Sequence, residues 1–236
     1  MEKANRIVAE ILEEVKERVR PGVETRELDE IAEEGCRRHK VEPAFKGYRG
    51  YPASVCVSVN EEVVHGIPGP RRLKNGDLVS LDFGVRCDGY YGDAAFTLPV
   101  GEVSSQARKL MEATRQSLDA AIAEVKVGAR LSNISHAVQT VVEGQGFAVI
   151  REFVGHGIGR SLHEDPQIPN FGPPGRGPVL QAGMTLAIEP MTCAGGWQIR
   201  ILNDGWTAVT QDGGLAAHFE HTVALTEAGA LILSRL

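Results

Sequence analysis

Apolar side chains recur at helical spacing in two separate parts of the chain. In residues 3–19 they occupy positions 7, 8, 11, 12, 15 and 19, and residues 106–125 show the same kind of spacing. Each segment runs into a glycine break and then into a second helical stretch. We predict two helix pairs, with the second helix of each pair capped at Thr25 and near Ser132.

The strand-like segments that follow the two helix pairs also resemble each other. "LKNGDLVSLDFG" begins at Leu73 and "LQAGMTLAIEPM" begins at Leu180, and at an offset of 107 residues Asp82 aligns with Glu189. An internal repeat of this kind predicts two equivalent units. We expect one α+β domain over residues 1–236, built from pseudo-repeats of about 1–105 and 106–236. The two halves, related by a pseudo-twofold axis, would share a curved antiparallel sheet covered by helices.

A hairpin in the first half places two aspartates on strands that are otherwise mostly apolar. Asp88-Gly89 lies between alternating apolar residues and is a strong signal for a two-residue turn. Counting outward, Gly84 faces Asp93 and Asp82 faces Ala95. The two aspartates are then diagonal neighbours on one face, with Cα atoms roughly 7–8 Å apart. Either that face is hydrated, or one of the two carboxyls is protonated, or a cation lies between the carboxylates.

Composition narrows the class of protein. The net charge of −6 gives no reason to expect a nucleic acid or an acidic membrane surface as partner. No apolar run reaches the ~20 residues of a membrane span. The four cysteines are far apart with no CxxC pair, which is typical of reduced thiols in a cytoplasmic protein.

Further acidic and imidazole side chains complete a candidate metal centre. "VGHGIGRSLHEDP" contains His156 among glycines that permit close backbone approach, and "LAAHFEHTVAL" contains Glu220. Taken alone, His156 or Glu220 is as well explained by a structural role. Together, four carboxylates and one neutral imidazole balance two divalent cations, which suits an oxygen-rich site for Mn²⁺, Fe²⁺ or Co²⁺, with Zn²⁺ as an alternative. The predicted ligands are Asp82, Asp93, His156, Glu189 and Glu220.

Five motifs in this order resemble the type I methionine aminopeptidases, a family with the pita-bread fold. They are "NEEVVHGIP", "SLDFGVRCDGYYGDAAF", "GHGIGRSLHEDP", "TLAIEPM" and "FEHT". The resemblance assigns the same five metal ligands. It also implies that His65 and His163 are catalytic without binding metal, and that Glu189 is the general base as well as a ligand. We regard His39, His136 and His218 as structural or solvated.

The same resemblance implies the reaction and the substrate pocket. The expected activity is hydrolysis of the first peptide bond after an N-terminal methionine, with a small second residue favoured. His65 and His163 would contact the peptide, and the pocket for the methionine side chain would be formed by Phe45, Tyr48, Tyr51, Cys56, Leu162 and Trp206. Phe45 and Leu162 stand where some relatives have cysteine and phenylalanine.

Two alternatives share the fold. One is a proline-specific aminopeptidase or dipeptidase, and the other is a binding module that has lost catalysis. For the main hypothesis we expect peptides or nascent chains as substrates and a monomeric, cytoplasmic protein. The ribosome is left open as a further partner.

Overall fold

The computed structural model describes residues 1–235. Two helix pairs lie in the two halves of the chain, as the apolar spacing predicts. Their bounds are α1 (Glu2–Glu17), α2 (Thr25–His39), α3 (Ser105–Ala123) and α4 (Ser132–Gly144). None of the helices in this described part has both the length and the apolar character that crossing a bilayer requires.

Nine strands form the main sheet, and every pairing between them is antiparallel. Neighbouring strands run in the order β1, β4, β5, β14, β9, β7 and β8, with β2 beside β4 and β15 beside β14. Their bounds are β1 (Glu42–Pro43), β2 (Val55–Val59), β4 (Leu78–Cys87), β5 (Tyr90–Pro99), β7 (Gly155–Gly157), β8 (Glu164–Ile168), β9 (Thr185–Ile188), β14 (Glu220–Thr226) and β15 (Gly229–Ile232).

Two three-stranded sheets, which the sequence does not predict, accompany the main one. In the first, β10 (Met191–Cys193) lies between β13 (Ala216–His218) and β6 (Ala148–Val149). In the second, β12 (Ala208–Thr210) lies between β11 (Ile199–Ile201) and β3 (Glu62–Val64). These strands have only two or three residues each, too few to show a period of two along the sequence.

Each helix pair buries its apolar face against part of the main sheet. In the first half, Ile11 and Leu28 from the helices pack in one cluster with Leu81 and Phe83 from β4. In the second half, Leu118 and Ile134 belong to the equivalent cluster, together with Ile188, Leu186 and Val223 from the strands. Helices therefore cover the sheet as predicted for an α+β protein, and the other side of the sheet is left for the site.

The two helix pairs make matching backbone contacts with the strand segments that follow them. The Gly22 N–H donates to the Leu73 carbonyl at 2.7 Å, and the Gly128 N–H donates to the Leu180 carbonyl at 2.9 Å. Both glycines have positive φ, 92° and 84°. These contacts support our proposal that the single domain consists of two copies of one unit.

The second helix of each pair begins at the predicted residue, but neither predicted hydroxyl caps its helix. The residue before α2 is Glu24, and its N–H donates to the Glu27 side chain at 2.8 Å. Thr25 lies in the first turn, where its hydroxyl donates to the carbonyl of Gly69. Ser132 is the first residue of α4, and its hydroxyl accepts a hydrogen bond from the Arg176 N–H. Both hydroxyls thus join a helix to a distant loop, a use that local sequence does not reveal.

Candidate metal centre

The hairpin of β4 and β5 has the predicted register. Gly84 is paired with Asp93, and Asp82 with Ala95. On its other side β5 meets β14, where Glu220 is also paired with Ala95. Asp82 and Glu220 therefore flank one small residue from opposite sides, and Asp93 is the diagonal neighbour of both. Three carboxylates from three adjacent strands converge on one face of the sheet.

The second half supplies two more side chains to the same face. His156 lies in β7, paired with Ala187 of β9, and Glu189 directly follows β9. The His156 Nδ1–H donates to the Gly157 carbonyl at 2.8 Å, which leaves the Nε2 lone pair free to bind a cation.

Glycines on both sides of His156 allow its strand to lie between its neighbours. A Cβ at Gly155 would collide with the Ala187 carbonyl oxygen, and one at Gly157 would collide with the Asp165 carbonyl oxygen. The expectation that these glycines permit close backbone approach is met. The partners are the adjacent strands of the sheet, so the glycines serve to position the histidine.

The buried carboxylates lack the partners that such groups normally need. Asp82 Oδ1, Asp93 Oδ1 and Glu220 Oε1 are enclosed and accept no hydrogen bond from residues 1–235. Donor atoms of Asp93, His156 and Glu220 lie within 4.8 Å of one another, and His156 Nε2 is 3.4 Å from Glu189 Oε1. Unsatisfied oxygens with one imidazole nitrogen and no thiolate fit a divalent metal ion.

Electrostatics lead to the same conclusion. Burial raises the pKa of Asp82 to about 7, and it raises the pKa of Asp93 well above the usual range, with further contribution from the charge of Asp82. Burial and then neighbouring carboxylates likewise raise the pKa values of Glu189 and Glu220. Burial lowers the pKa of His156, so its ring is neutral. Without a cation this cavity holds protons, and a cation would replace them.

All thirteen predicted site residues line one cavity of about 170 Å³. Carboxylates and histidines form one part of its wall and aromatic or apolar side chains form the other. These residues are Phe45, Tyr48, Tyr51, Cys56, His65, Asp82, Asp93, His156, Leu162, His163, Glu189, Trp206 and Glu220. The same wall includes Arg49, which the sequence did not single out.

The two additional histidines are held by aromatic neighbours. His65 has a positive φ of 61°, and its ring meets the rings of Phe153 and Trp206 edge to face. His163 Nδ1 is 2.9 Å from the Tyr48 hydroxyl, and its ring centroid is 4.3 Å from that of His156. Burial lowers the pKa of His163 to about 4, so a neutral ring is available for hydrogen bonding at neutral pH.

Several residues that support the site were missed or set aside. Thr222 donates to the Asp93 carbonyl at 2.8 Å, and Asn170 donates to the Glu189 carbonyl at 2.9 Å. His218, for which the sequence predicts a structural or solvated role, is buried, and its Nε2 is 3.8 Å from Glu189 Oε2. These contacts join positions far apart in the chain, and only the strand pairing reveals them.

The four cysteines are buried and form no disulfide. Cys56 is part of the cavity wall, while Cys193 belongs to the core around β10. Burial raises the pKa values of both thiols, so neither is a thiolate at neutral pH. The free thiols agree with the reduced cysteines that the sequence predicts.

Residues 1–227 match the metallopeptidase family M24 over nearly the whole chain. The chain belongs to this family. Methionine aminopeptidase 1 of Bacillus subtilis is 56% identical over 236 residues, which span all of this chain and 95% of that protein. The crystal structure of a methionine aminopeptidase from Thermotoga maritima superposes with a TM-score of 0.99 at 51% identity, covering 100% of this chain and 95% of that one.

A more distant likeness shows how widely the fold is shared. The prolidase from Pyrococcus furiosus has a TM-score of 0.82 at 23% identity and covers all of this chain and 63% of its own. At that identity the likeness is evidence for the fold alone, and it is the predicted pita-bread fold. Family membership makes the chain a metallopeptidase, an enzyme that uses divalent metal to hydrolyse peptides.

Proposed function

We propose that this metallopeptidase removes the N-terminal methionine from peptides and nascent proteins. One observation carries the proposal: enclosed carboxylate oxygens without partners share a small cavity with an aromatic and apolar wall. The carboxylates suit a divalent cation, and the wall suits an unbranched apolar side chain. Relatives that match the full chain are named methionine aminopeptidases, which supports the same activity.

The proposed ligands are Asp82, Asp93, His156, Glu189 and Glu220. Their four negative charges favour two divalent ions, with Mn²⁺, Fe²⁺, Co²⁺ and Zn²⁺ as the candidates. When bound, such ions lower the pKa of water and polarise the scissile carbonyl. All further steps of the proposal concern the side chains around them.

Glu189 is proposed to act as the general base. Glu189 directly follows β9, an interior strand of the sheet, and its side chain is 14% exposed, so it faces both the cavity and its buried ligand neighbours. The carboxylate accepts a proton from the attacking water and then delivers it to the leaving nitrogen.

The neutral ring of His163 is proposed to donate a hydrogen bond to the scissile carbonyl as negative charge develops there. His65 is proposed to position the scissile bond and the leaving nitrogen. Its neighbour Trp206 belongs to the apolar wall, so His65 lies where the apolar and charged parts of the cavity meet.

The methionine side chain is proposed to pack in a pocket that Phe45 adjoins and whose lining residues are Tyr48, Tyr51, Cys56, Leu162 and Trp206. Tyr51 is fixed there by its hydroxyl, which donates to the Gly66 carbonyl at 2.9 Å. The α-amine of the substrate then lies near Asp82, among carboxylates that favour a free amine over an acylated one. The second residue of the substrate is proposed to be small.

The proline-specific alternative has the same metal ligands, so the apolar wall must decide between them. The deciding experiment compares Met-Gly-Met with Ala-Pro as substrates for the metal-loaded protein. We expect free methionine from the first peptide and no cleavage of the second. Cleavage of Ala-Pro with Met-Gly-Met intact would overturn the proposal in favour of a proline-specific peptidase.

Outside the site, we propose a monomer that acts in the cytoplasm on peptides and chains leaving the ribosome. Ribosome contact would be tested by co-sedimentation of the protein with purified ribosomes at low and physiological salt. Pelleting that persists at physiological salt would support the contact, and its absence at both would refute it.

A further inference from the structure

His218 is a buried histidine that the proposed mechanism does not use. His218 is 1% exposed, and its Nε2 atom has no hydrogen-bond partner within residues 1–235. A buried polar nitrogen without a partner is costly, and such groups are rare in folded proteins. An unpaired position next to a metal centre therefore calls for a functional explanation.

The polar group that Nε2 faces is the proposed base. Glu189 Oε2 is 3.8 Å from His218 Nε2, while Glu189 Oε1 is 3.4 Å from His156 Nε2. The carboxylate thus lies between two imidazoles, one proposed as a metal ligand and one outside the ligand set. The gap to His218 is slightly longer than a hydrogen bond, so a small side-chain rotation closes it.

The backbone of His218 is fixed on both sides. Its N–H donates to the Thr97 hydroxyl at 2.8 Å, and that hydroxyl donates to the His218 carbonyl at 2.9 Å. Across the small sheet His218 is paired with Met191, two residues after Glu189. This pairing brings the imidazole close to the Glu189 carboxylate.

We propose that His218 is a positioning residue for Glu189. In its neutral form the ring donates the Nε2–H to Glu189 Oε2, which holds the carboxylate in one orientation and leaves Oε1 for the cation and the proton transfer. Outer hydrogen bonds of this kind orient ligands, and their loss typically weakens metal affinity or activity by about 10–100-fold. The inference rests on the proposed function because it concerns the same site.

A pair of nearly isosteric substitutions tests the hydrogen bond. His218→Gln keeps a donor, whereas His218→Met has about the same length without one. We expect His218→Met to raise the metal dissociation constant by about tenfold or more and to lower kcat with little change in KM. His218→Gln should keep both quantities within about threefold of wild type. Equal behaviour of the two variants would overturn the inference.

His221 provides the matched control. It is a half-buried histidine on β14, and its Nδ1 is 2.9 Å from the Ser234 hydroxyl, away from the cavity. His221→Gln and His221→Met should both leave metal affinity at the wild-type level. If His221→Met weakens metal binding as much as His218→Met does, the effect is general destabilisation and the inference is wrong.

A second measurement uses only the wild-type protein, so it does not depend on whether a variant folds. Nitrogen-15 NMR of the histidine rings in the Zn²⁺-loaded wild-type protein reports which ring nitrogen carries the proton. We expect a protonated, slowly exchanging Nε2 at His218. An unprotonated Nε2 would refute the hydrogen bond. The metal dissociation constant and the ring protonation are both independent of turnover. A protein that binds metal in this way yet releases no methionine would therefore contradict the proposed function alone.

Discussion

Removing the metal should make the stability of this protein fall as pH rises through neutrality. The buried carboxyls of the site have pKa values raised by burial, to about 7 for Asp82 and well above the usual range for Asp93, Glu189 and Glu220. In the unfolded chain the same groups ionise near pH 4. Above that pH these carboxyls therefore hold more protons in the metal-free folded state than in the unfolded state, and their contribution makes stability decrease as pH increases.

Buried histidines limit the pH range in which this effect can be seen. Burial lowers the pKa of His163 to about 4, that of His218 to about 3 and that of His221 to about 4. Below their unfolded pKa of about 6.5 these rings take up protons on unfolding, which makes stability rise with pH and opposes the carboxyls. Above about pH 8.5 thiols also ionise on unfolding. The carboxyl effect is therefore isolated between about pH 7 and 8.5.

The expected magnitude follows from counting retained protons. Each carboxyl that stays protonated in the folded protein and is ionised in the unfolded chain costs about 1.4 kcal/mol per pH unit. One such group gives a loss of about 1.4 kcal/mol between pH 7 and 8, and two give about 2.8 kcal/mol. Either is a large part of a typical unfolding free energy of about 5–15 kcal/mol.

Urea unfolding of chelator-treated protein at pH 7 and pH 8, followed by tryptophan fluorescence, measures this difference. Added Mn²⁺ should remove the pH dependence, because the carboxylates are then ionised in the folded state as well. Asp93→Asn should reduce the slope of the metal-free protein. An unfolding free energy that is equal or higher at pH 8 without metal would refute the reasoning about the buried carboxyls.

Further substitutions test single roles. His163→Ala should lower kcat by about 10²–10⁴ with metal still bound, and unchanged turnover would remove this histidine from the mechanism. Glu189→Ala should abolish methionine release and weaken metal binding in calorimetry; a fully active variant would contradict both of its proposed roles. Tyr48→Phe should lower kcat by about tenfold because His163 loses its hydroxyl partner, and wild-type kcat would show that the bond is dispensable. Gly66→Ala should cost about 1–3 kcal/mol in urea unfolding because its Cβ meets the Val57 carbonyl, and an equally stable variant would argue against that packing.

Much of the site could be predicted from sequence because its central element is local. The Asp88-Gly89 turn fixes the register of β4 against β5, and that register alone places Asp82 diagonally from Asp93. Charge balance and the resemblance to a family, rather than local geometry, predict the remaining ligands. No local signal shows that Glu220 shares the partner Ala95 with Asp82.

The features that were missed depend on contacts between distant segments. Thr25 and Ser132 have the side chains of helix caps, yet Thr25 hydrogen-bonds Gly69 and Ser132 hydrogen-bonds Arg176. His218 approaches Glu189 only because β13 pairs with β10, and both strands are three residues long. Strands this short carry no readable period, so their pairing becomes visible only in three dimensions.

Methionine excision is tested by measuring methionine release from Met-Ala-Ser by metal-stripped protein, before and after addition of Mn²⁺, Co²⁺, Zn²⁺ or, under anaerobic conditions, Fe²⁺. We expect release only when metal is present, and none from the N-acetylated peptide. Folded protein that binds these metals and releases no methionine with any of them would contradict the central claim. It would leave the pita-bread fold as a binding module without catalysis.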